Sequence, residues 1–217
     1  AGYNAQGPGT TGLPARAEVG RLLEEKLSAM AAAGDRLDVI TFSGNGEPTL
    51  HPDFEGIIDD VVKIRDRYFP HVKISVLCNS TRLSDESVCR ALRRVDNNIL
   101  KLDSAVESTM RLLDRPNDPA FTVDALIPRL VAFGASAIIQ TMITRGSHDG
   151  HRIDNSTDAE VDALIEAYRR INPASIMLYT IDRPTPERSL QRVPRERLDA
   201  IAARIKKETG IKVCVAG

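Results

Sequence analysis

The chain has 217 residues, 42% of them apolar, and 29 basic against 30 acidic side chains give a net charge of −1. Such a chain buries one sizeable core, and with no Pro/Gly/Ser-rich linker or charge block to divide it, a single domain over 1–217 is expected. Balanced charge excludes a global attraction to nucleic acid or anionic membrane, and no apolar run approaches the roughly 20 residues that span a bilayer.

Ala1 to Pro14 is Gly/Pro/Thr-rich, lacks periodicity and reads as a loop or a frayed end. From Ala17 to Ala33, Val19, Leu22, Leu23, Leu27 and Met30 fall on one helical face, and Gly34 stands where a left-handed residue closes a helix. Leu37 to Ser43, rich in β-branched and aromatic residues, reads as a buried parallel strand. It stops at Gly44-Asn45-Gly46-Glu47-Pro48, where two glycines leave peptide groups uncovered for a small polar ligand. Glu47 is then the one charge at the strand's carboxyl end, the end at which parallel α/β architectures bind ligands.

Phe54 to Ile64 marks a second helix, ending near Pro70, and Val72 to Cys78 a strand that stops at Asn79-Ser80-Thr81. Ser84 is expected to cap a third helix carrying Val88, Ala91 and Leu92. Asn98 to Asp103 is strand, a short helix runs through Leu113, and a turn comes next at Arg115-Pro116. Thr122 to Phe133 is helical with Pro128 inside it, and Gly134 ends it. The strand Ala137 to Ile143 leads into the longest loop, Thr144 to Ser156, whose His148 and His151 read as solvated residues rather than metal ligands. Thr157 and Glu160 have capping-box spacing and open an amphipathic helix through Ile171. Ser175 to Ile181 is strand and Arg183 to Pro194 loop. Leu198, Ile201 and Ile205 face a last helix before the strand Ile211 to Val215.

Strands alternating with helices imply a parallel sheet of repeated βα units. Along a strand, residues two apart share a face. With Leu100 and Leu102 turned to the helices, Lys101 and Asp103 point inward as a buried pair that must satisfy each other or a ligand. Thr41 with Ser43, Ser75 with Asn79, Gln140 with Met142, and Tyr179 are expected on the same interior. A structural ion pair at Lys101 and Asp103, and an Asx turn at Asn79, remain open beside the ligand reading. Cys78, Cys89 and Cys214, odd in number and widely spaced, argue for a reducing, cytoplasmic setting and supply no metal site.

Ser43-Gly44-Asn45-Gly46-Glu47-Pro48-Thr49-Leu50 resembles the strand-ending segment of radical SAM enzymes, most closely the G-E-P-T-L-x-P form of wybutosine-synthesis-like and activating-enzyme-like members. Leu102-Asp103-Ser104-Ala105, with Glu107 and Arg115-Pro116, resembles that family's S-L-D-A segment and trailing R-P. The resemblance implies a partial (βα)6 TIM-like barrel that holds S-adenosylmethionine and a [4Fe–4S] cluster, cleaving the cofactor reductively to a 5′-deoxyadenosyl radical. It implies that Gly44, Asn45, Gly46 and Glu47 meet the methionyl amino group, that Asn79, Asp103 and Ser104 sit near ribose or carboxylate, and that Lys101 and Gln140 are the catalytic candidates. An electron donor and a substrate (small molecule, peptide or RNA) are the implied partners.

The family's C-x3-C-x2-C cluster motif is absent, and Cys78 and Cys89, eleven apart, cannot replace it. The cluster loop would come after a first strand and precede the first helix, which is where this sequence opens, so the expectation is a chain whose first strand and cluster segment lie upstream. Two other readings stand beside this one: a barrel without chemistry serving as a nucleotide-binding or scaffold module, and a phosphate-binding (βα) barrel enzyme with an anion near Gly210.

Overall fold

Gly34 takes φ 72° and closes α1, Arg16–Ala33, as its position after the last apolar residue predicts. The computed structural model of the protein describes residues 13–43, 46–182 and 187–216. The chain divides into two compact units, one of Gly2–Cys78 and Arg82–Asn98, the other of Asn79–Thr81 and Ile99–Gly217.

The first unit continues with β1 (Val39–Phe42), α2 (Phe54–Tyr68), β2 (Lys73–Cys78) and α3 (Glu86–Leu92). β1 and β2 pair in parallel, Val39 opposite Lys73 through Phe42 opposite Val76. Ile57, Val61 and Ile74 form the core, with Val19, Leu23, Ile40 and Phe42 packed on it. The Phe42 and Phe54 rings meet edge to face, 6.3 Å between centroids, the arrangement that ring quadrupoles favour. Two expectations need correction here. Asp85, not Ser84, caps α3, its Oδ1 accepting from Ser87 N at 3.0 Å, because a carboxylate one residue later meets the exposed amides directly. β1 is parallel but not buried: Val39 keeps 40% exposure, since among the described residues β1 stands last in its sheet, beside β2 alone.

The second unit carries, in chain order, most of β3 (Asn97–Lys101), then α4 (Glu107–Asp114), α5 (Val123–Val131), β4 (Ala137–Met142), β5 (Thr144–His148), β6 (His151–Asp154), α6 (Asp158–Ile171), β7 (Ser175–Tyr179), β8 (Gln191–Arg192), α7 (Arg195–Thr209) and β9 (Val213–Ala216). β4 pairs in parallel with β7, and β7 with β9. The larger sheet has six strands in the order β1-β2-β3-β4-β7-β9, and its members are the six strands read from the sequence. Along β4 the faces separate: Ala137, Ile139 and Thr141 are buried, while Ile138, Gln140 and Met142 are half-buried. The register sets Gln140 opposite Met177 and Met142 opposite Tyr179, so those side chains share one half-open face.

Thr144 to Ser156 is not a loop. β5 and β6 form an antiparallel hairpin with His148 opposite His151, and β8 adds to the other side of β5, giving a three-stranded antiparallel sheet. The turn is Asp149-Gly150, both in left-handed backbone, φ 47° and 78°. Both central residues of the favoured two-residue hairpin turn need that region. His148 is accordingly not solvated: its ring lies between the carboxylates of Glu187 and Asp149.

Candidate functional site

In the first unit the chain turns sharply after β1. Gly44 and Asn45 lie outside the described residues. Glu47 caps a single 3-10 turn, Pro48–Leu50, its Oε1 accepting from Thr49 N at 3.1 Å and from Thr49 Oγ1 at 2.6 Å. Proline at the first position fits a turn whose first N–H has no partner to find. His51 then pins the next segment: its Nδ1 accepts from Asp53 N at 3.0 Å and its Nε2 donates to Pro14 O at 2.9 Å, a pattern that selects one neutral tautomer. Beside the turn opens a cavity of about 640 Å³, lined by Thr41, Ser43, Gly46 and Glu47 together with apolar groups such as Phe42, Phe54 and Ile57. Its size and its few polar groups are those of small-molecule sites.

In the second unit the carboxyl ends of the strands gather ionisable groups. Lys101 Nζ lies 2.8 Å from Asp103 Oδ2, with Asp103 fully buried and the lysine side chain 15% exposed. Asp103 Oδ1 accepts from Met142 N at 2.9 Å. Burial acts to lower the Lys101 pKa, but the Asp103 carboxylate outweighs it, with Tyr179 and Asp114 adding to the pull, and the ammonium is held above its ordinary value. Asp114, at the end of α4, is pushed up to about 7 by burial and by repulsion from Asp103, against the opposing attraction of Lys101. Burial and the Asp103 charge push the Tyr179 hydroxyl up to about 12. Two acids, an ammonium and a phenol thus share one weakly solvated region, an arrangement characteristic of functional sites.

Three further side chains hold this region in place. Asn155, fully buried, donates through Nδ2 to Asp103 O at 2.8 Å and Met142 O at 2.7 Å, while its Oδ1 accepts from Thr144 N at 2.7 Å. Glu160 does not complete the expected capping box. Thr157 Oγ1 does accept from Glu160 N, at 3.4 Å, but the Glu160 carboxylate turns inward to accept from Ser104 Oγ at 2.7 Å and Thr109 Oγ1 at 2.5 Å, because two buried hydroxyls offer more than one exposed amide. Thr141 Oγ1 joins Leu102 O and the Tyr168 hydroxyl, each at 2.7 Å.

The structure therefore brings Lys101 and Asp103 together with Asp114 and Tyr179. Gln140 lies on the half-open face of β4, its backbone oxygen accepting from Leu102 N at 3.0 Å. Ser104 is engaged with Glu160 and accepts from Val106 N at 2.9 Å. Asn79 forms an Asx turn, its Oδ1 accepting from Thr81 N at 3.0 Å and Thr81 Oγ1 at 2.7 Å. Ser80 beside it takes left-handed backbone, φ 68°, and donates to Lys101 O at 2.9 Å. Sequence reasoning missed Asp114, Asn155 and Glu160. Asp114 had no signal, since it reads as a polar residue at the end of a short amphipathic helix. Asn155 had one: it lies just beyond the Asp-Gly hairpin, whose recognition would have put it at a strand end.

Among the described residues no group of three or more His, Cys, Asp or Glu side chains could hold a metal ion. Cys78 is buried, Cys89 half-buried and Cys214 exposed.

No family model matches the chain. Among curated relatives, "GTPase Obg" of Brachyspira hyodysenteriae is 25% identical over 166 residues, 75% of this chain and 23% of that protein. A "UPF0026 protein" of Helicobacter pylori is 23% identical over 151 residues, 69% of this chain and 46% of that protein. The chain thus spans less than half of each. Among solved structures, SuiB of Streptococcus suis bound to S-adenosylmethionine superposes with a TM-score of 0.63 at 12% identity, covering 91% of this chain and 43% of that one. A domain of pyruvate-formate lyase-activating enzyme from Bacteroides vulgatus gives 0.59 at 18%, covering 83% and 100%. HemN of Escherichia coli, described as a radical SAM enzyme, gives 0.57 at 16%, covering 90% and 46%. With its six-stranded, mostly parallel sheet, the chain has the partial TIM-like barrel fold of the radical SAM enzymes.

Proposed function

We propose that this chain is the core of a radical SAM enzyme that binds S-adenosylmethionine at the carboxyl ends of its parallel strands. One observation carries the reading: the fold likeness to these enzymes coincides with buried or oriented carboxylates, Glu47 and Asp103, at two strand ends. An ammonium- and hydroxyl-bearing cofactor needs such acceptors. In this reading Gly44, Asn45, Gly46 and Glu47 take the amino group, and Asn79, Asp103 and Ser104 lie toward ribose or carboxylate. Lys101 and Gln140 face the reacting part of the ligand. Asp103, held by Met142 N–H, Lys101 and Asn155, presents a fixed rather than a mobile charge, which is how a site orients a cofactor without losing rotamer entropy on binding.

The cluster is a different matter. The three cysteines do not form a thiolate set and no described group of side chains replaces one, so the residues of this chain do not fit a [4Fe–4S] cluster. A cluster held by ligands other than these would supply the electron for reductive cleavage of S-adenosylmethionine, and the part left to Glu47 and Asp103 would be to hold and orient that cofactor.

Equilibrium dialysis of the chain against labelled S-adenosylmethionine tests the reading. Retention is expected, and Asp103→Asn is expected to weaken it about tenfold or more, since a hydrogen bond to a charged group contributes ~1.5–3 kcal/mol. No retention, or equal retention by the variant, overturns the assignment. Anaerobic incubation with iron and sulfide should leave this chain without a thiolate-cluster absorbance, and in a preparation that does carry a cluster, 5′-deoxyadenosine should form.

A further inference from the structure

Thr49 is 1% exposed, yet it is a polar residue in the short turn that follows β1. Both of its donors meet one oxygen: the backbone N–H reaches Glu47 Oε1 at 3.1 Å, and the hydroxyl reaches the same atom at 2.6 Å. The turn itself needs only the first of these, because a cap bond uses the backbone N–H and almost any residue supplies one. Valine would fill the same buried space with no hydroxyl to satisfy. The second donor is surplus to the turn.

A third group continues the line. Cys78, 4% exposed at the carboxyl end of β2, places its Sγ 4.0 Å from Thr49 Oγ1. The hydroxyl has one proton and gives it to Glu47, so at Cys78 the Thr49 oxygen accepts and the thiol donates. A hydroxyl that accepts on one side donates more strongly on the other. Thiol, hydroxyl and carboxylate thus run from the buried end of β2 to Glu47, which lines the cavity beside the turn. Neither Thr49 nor Cys78 is among the described residues that line it. A glutamate side chain has several rotatable bonds, and an unheld one loses that freedom when a ligand binds. With two donors on Oε1, Glu47 is set before the ligand arrives.

We infer that Thr49, backed by Cys78, is a positioning residue: it fixes the orientation in which the Glu47 carboxylate takes the cationic head of a ligand in this cavity. Thr49 acts through Glu47 alone. The identity of that ligand as S-adenosylmethionine, with its amino group at Glu47, rests on the function proposed above; the hold of Thr49 on Glu47 does not.

Carbon-13 relaxation at the Glu47 side chain of the ligand-free chain reads that hold. A restricted Glu47 is expected in wild type and in Thr49→Ser, which keeps the hydroxyl, and a loosened one in Thr49→Val, which keeps the shape. Thr49→Val combined with Cys78→Ala removes both members of the buried contact and takes the place of the single variant if that one folds poorly. An equally restricted Glu47 in the folded valine variant overturns the positioning role. In equilibrium dialysis, Thr49→Val should retain S-adenosylmethionine about tenfold more weakly, the loss of one hydrogen bond to a charged group, and Thr49→Ser within about twofold of wild type. 5′-Methylthioadenosine, the same nucleoside without the amino-acid arm, should be retained alike by all three. Equal weakening for both ligands marks a general loss of structure and overturns the role of Thr49 through Glu47. No retention of S-adenosylmethionine by wild type overturns the cofactor reading instead, and the relaxation measurement still decides whether Thr49 holds Glu47.

Discussion

A buried acid whose proton is held tightly makes folding pH-dependent in a definite direction. Asp114 binds its proton more tightly in the folded chain than in the unfolded one, its pKa moving from 3.8 to about 7. The stability this contributes is fully present below about pH 4 and is lost as pH rises through 7, with a slope of at most ~1.4 kcal/mol per pH unit. Urea unfolding at pH 5 and pH 8 should show wild type losing stability between the two and Asp114→Asn losing less. Asn155 makes a different kind of prediction. Its amide closes three hydrogen bonds with full burial, so Asn155→Ala leaves two carbonyls and an amide unsatisfied and should cost about 2–4 kcal/mol in the same assay. The inward pairing of Lys101 and Asp103 was legible in the sequence, because alternation along a strand dictates it. Asp114 was not, because the last turn of a short helix carries no mark of which strand end it will meet. The Asx turn at Asn79 was one of two readings the sequence left open, and the hydrogen bonds to Thr81 are those of the turn.

Among the elements, the six strands of the larger sheet were legible because apolar β-branched runs recur between amphipathic helices, and both the runs and the helix ends have local causes. The antiparallel sheet of β5, β6 and β8 was not. Its strands are polar, without the alternation that marks a half-buried strand, and only Asp149-Gly150 announced it. What fixes that sheet is a close approach: Gly146 has φ 144°, and a Cβ there would lie 2.2 Å from Ser189 O. Gly146→Ala must therefore part the two backbone segments. Amide hydrogen exchange should show faster exchange across β5 and β8 in this variant, with protection in β4 and β7 retained. The Ser189 hydroxyl adds to the same junction by donating to Ser147 O of β5. Charged partners of His148 come from both the hairpin turn and this segment.

For the molecule as a whole, the alternation of strand and helix along the sequence placed it correctly among α/β chains, and no described helix is long and apolar enough to cross a membrane. The segment G-E-P-T-L pointed to the fold that the solved structures share, even though identity to SuiB, the activating-enzyme domain and HemN is at most 18%. Fold survives such divergence because it rests on the periodicity of apolar positions, while the chemistry rests on a few side chains whose neighbours no periodicity specifies. The half-open position of β1 has a practical consequence at this scale. A strand at the end of a sheet whose N–H and C=O groups meet no neighbour among the described residues is a template for other chains, and here Val39, 40% exposed, lies on it in a protein whose net charge is only −1. Concentrated solutions near the isoelectric point, about 6.5, should self-associate along that strand, and Val39→Lys should suppress the rise in light scattering while leaving the unfolding midpoint nearly unchanged.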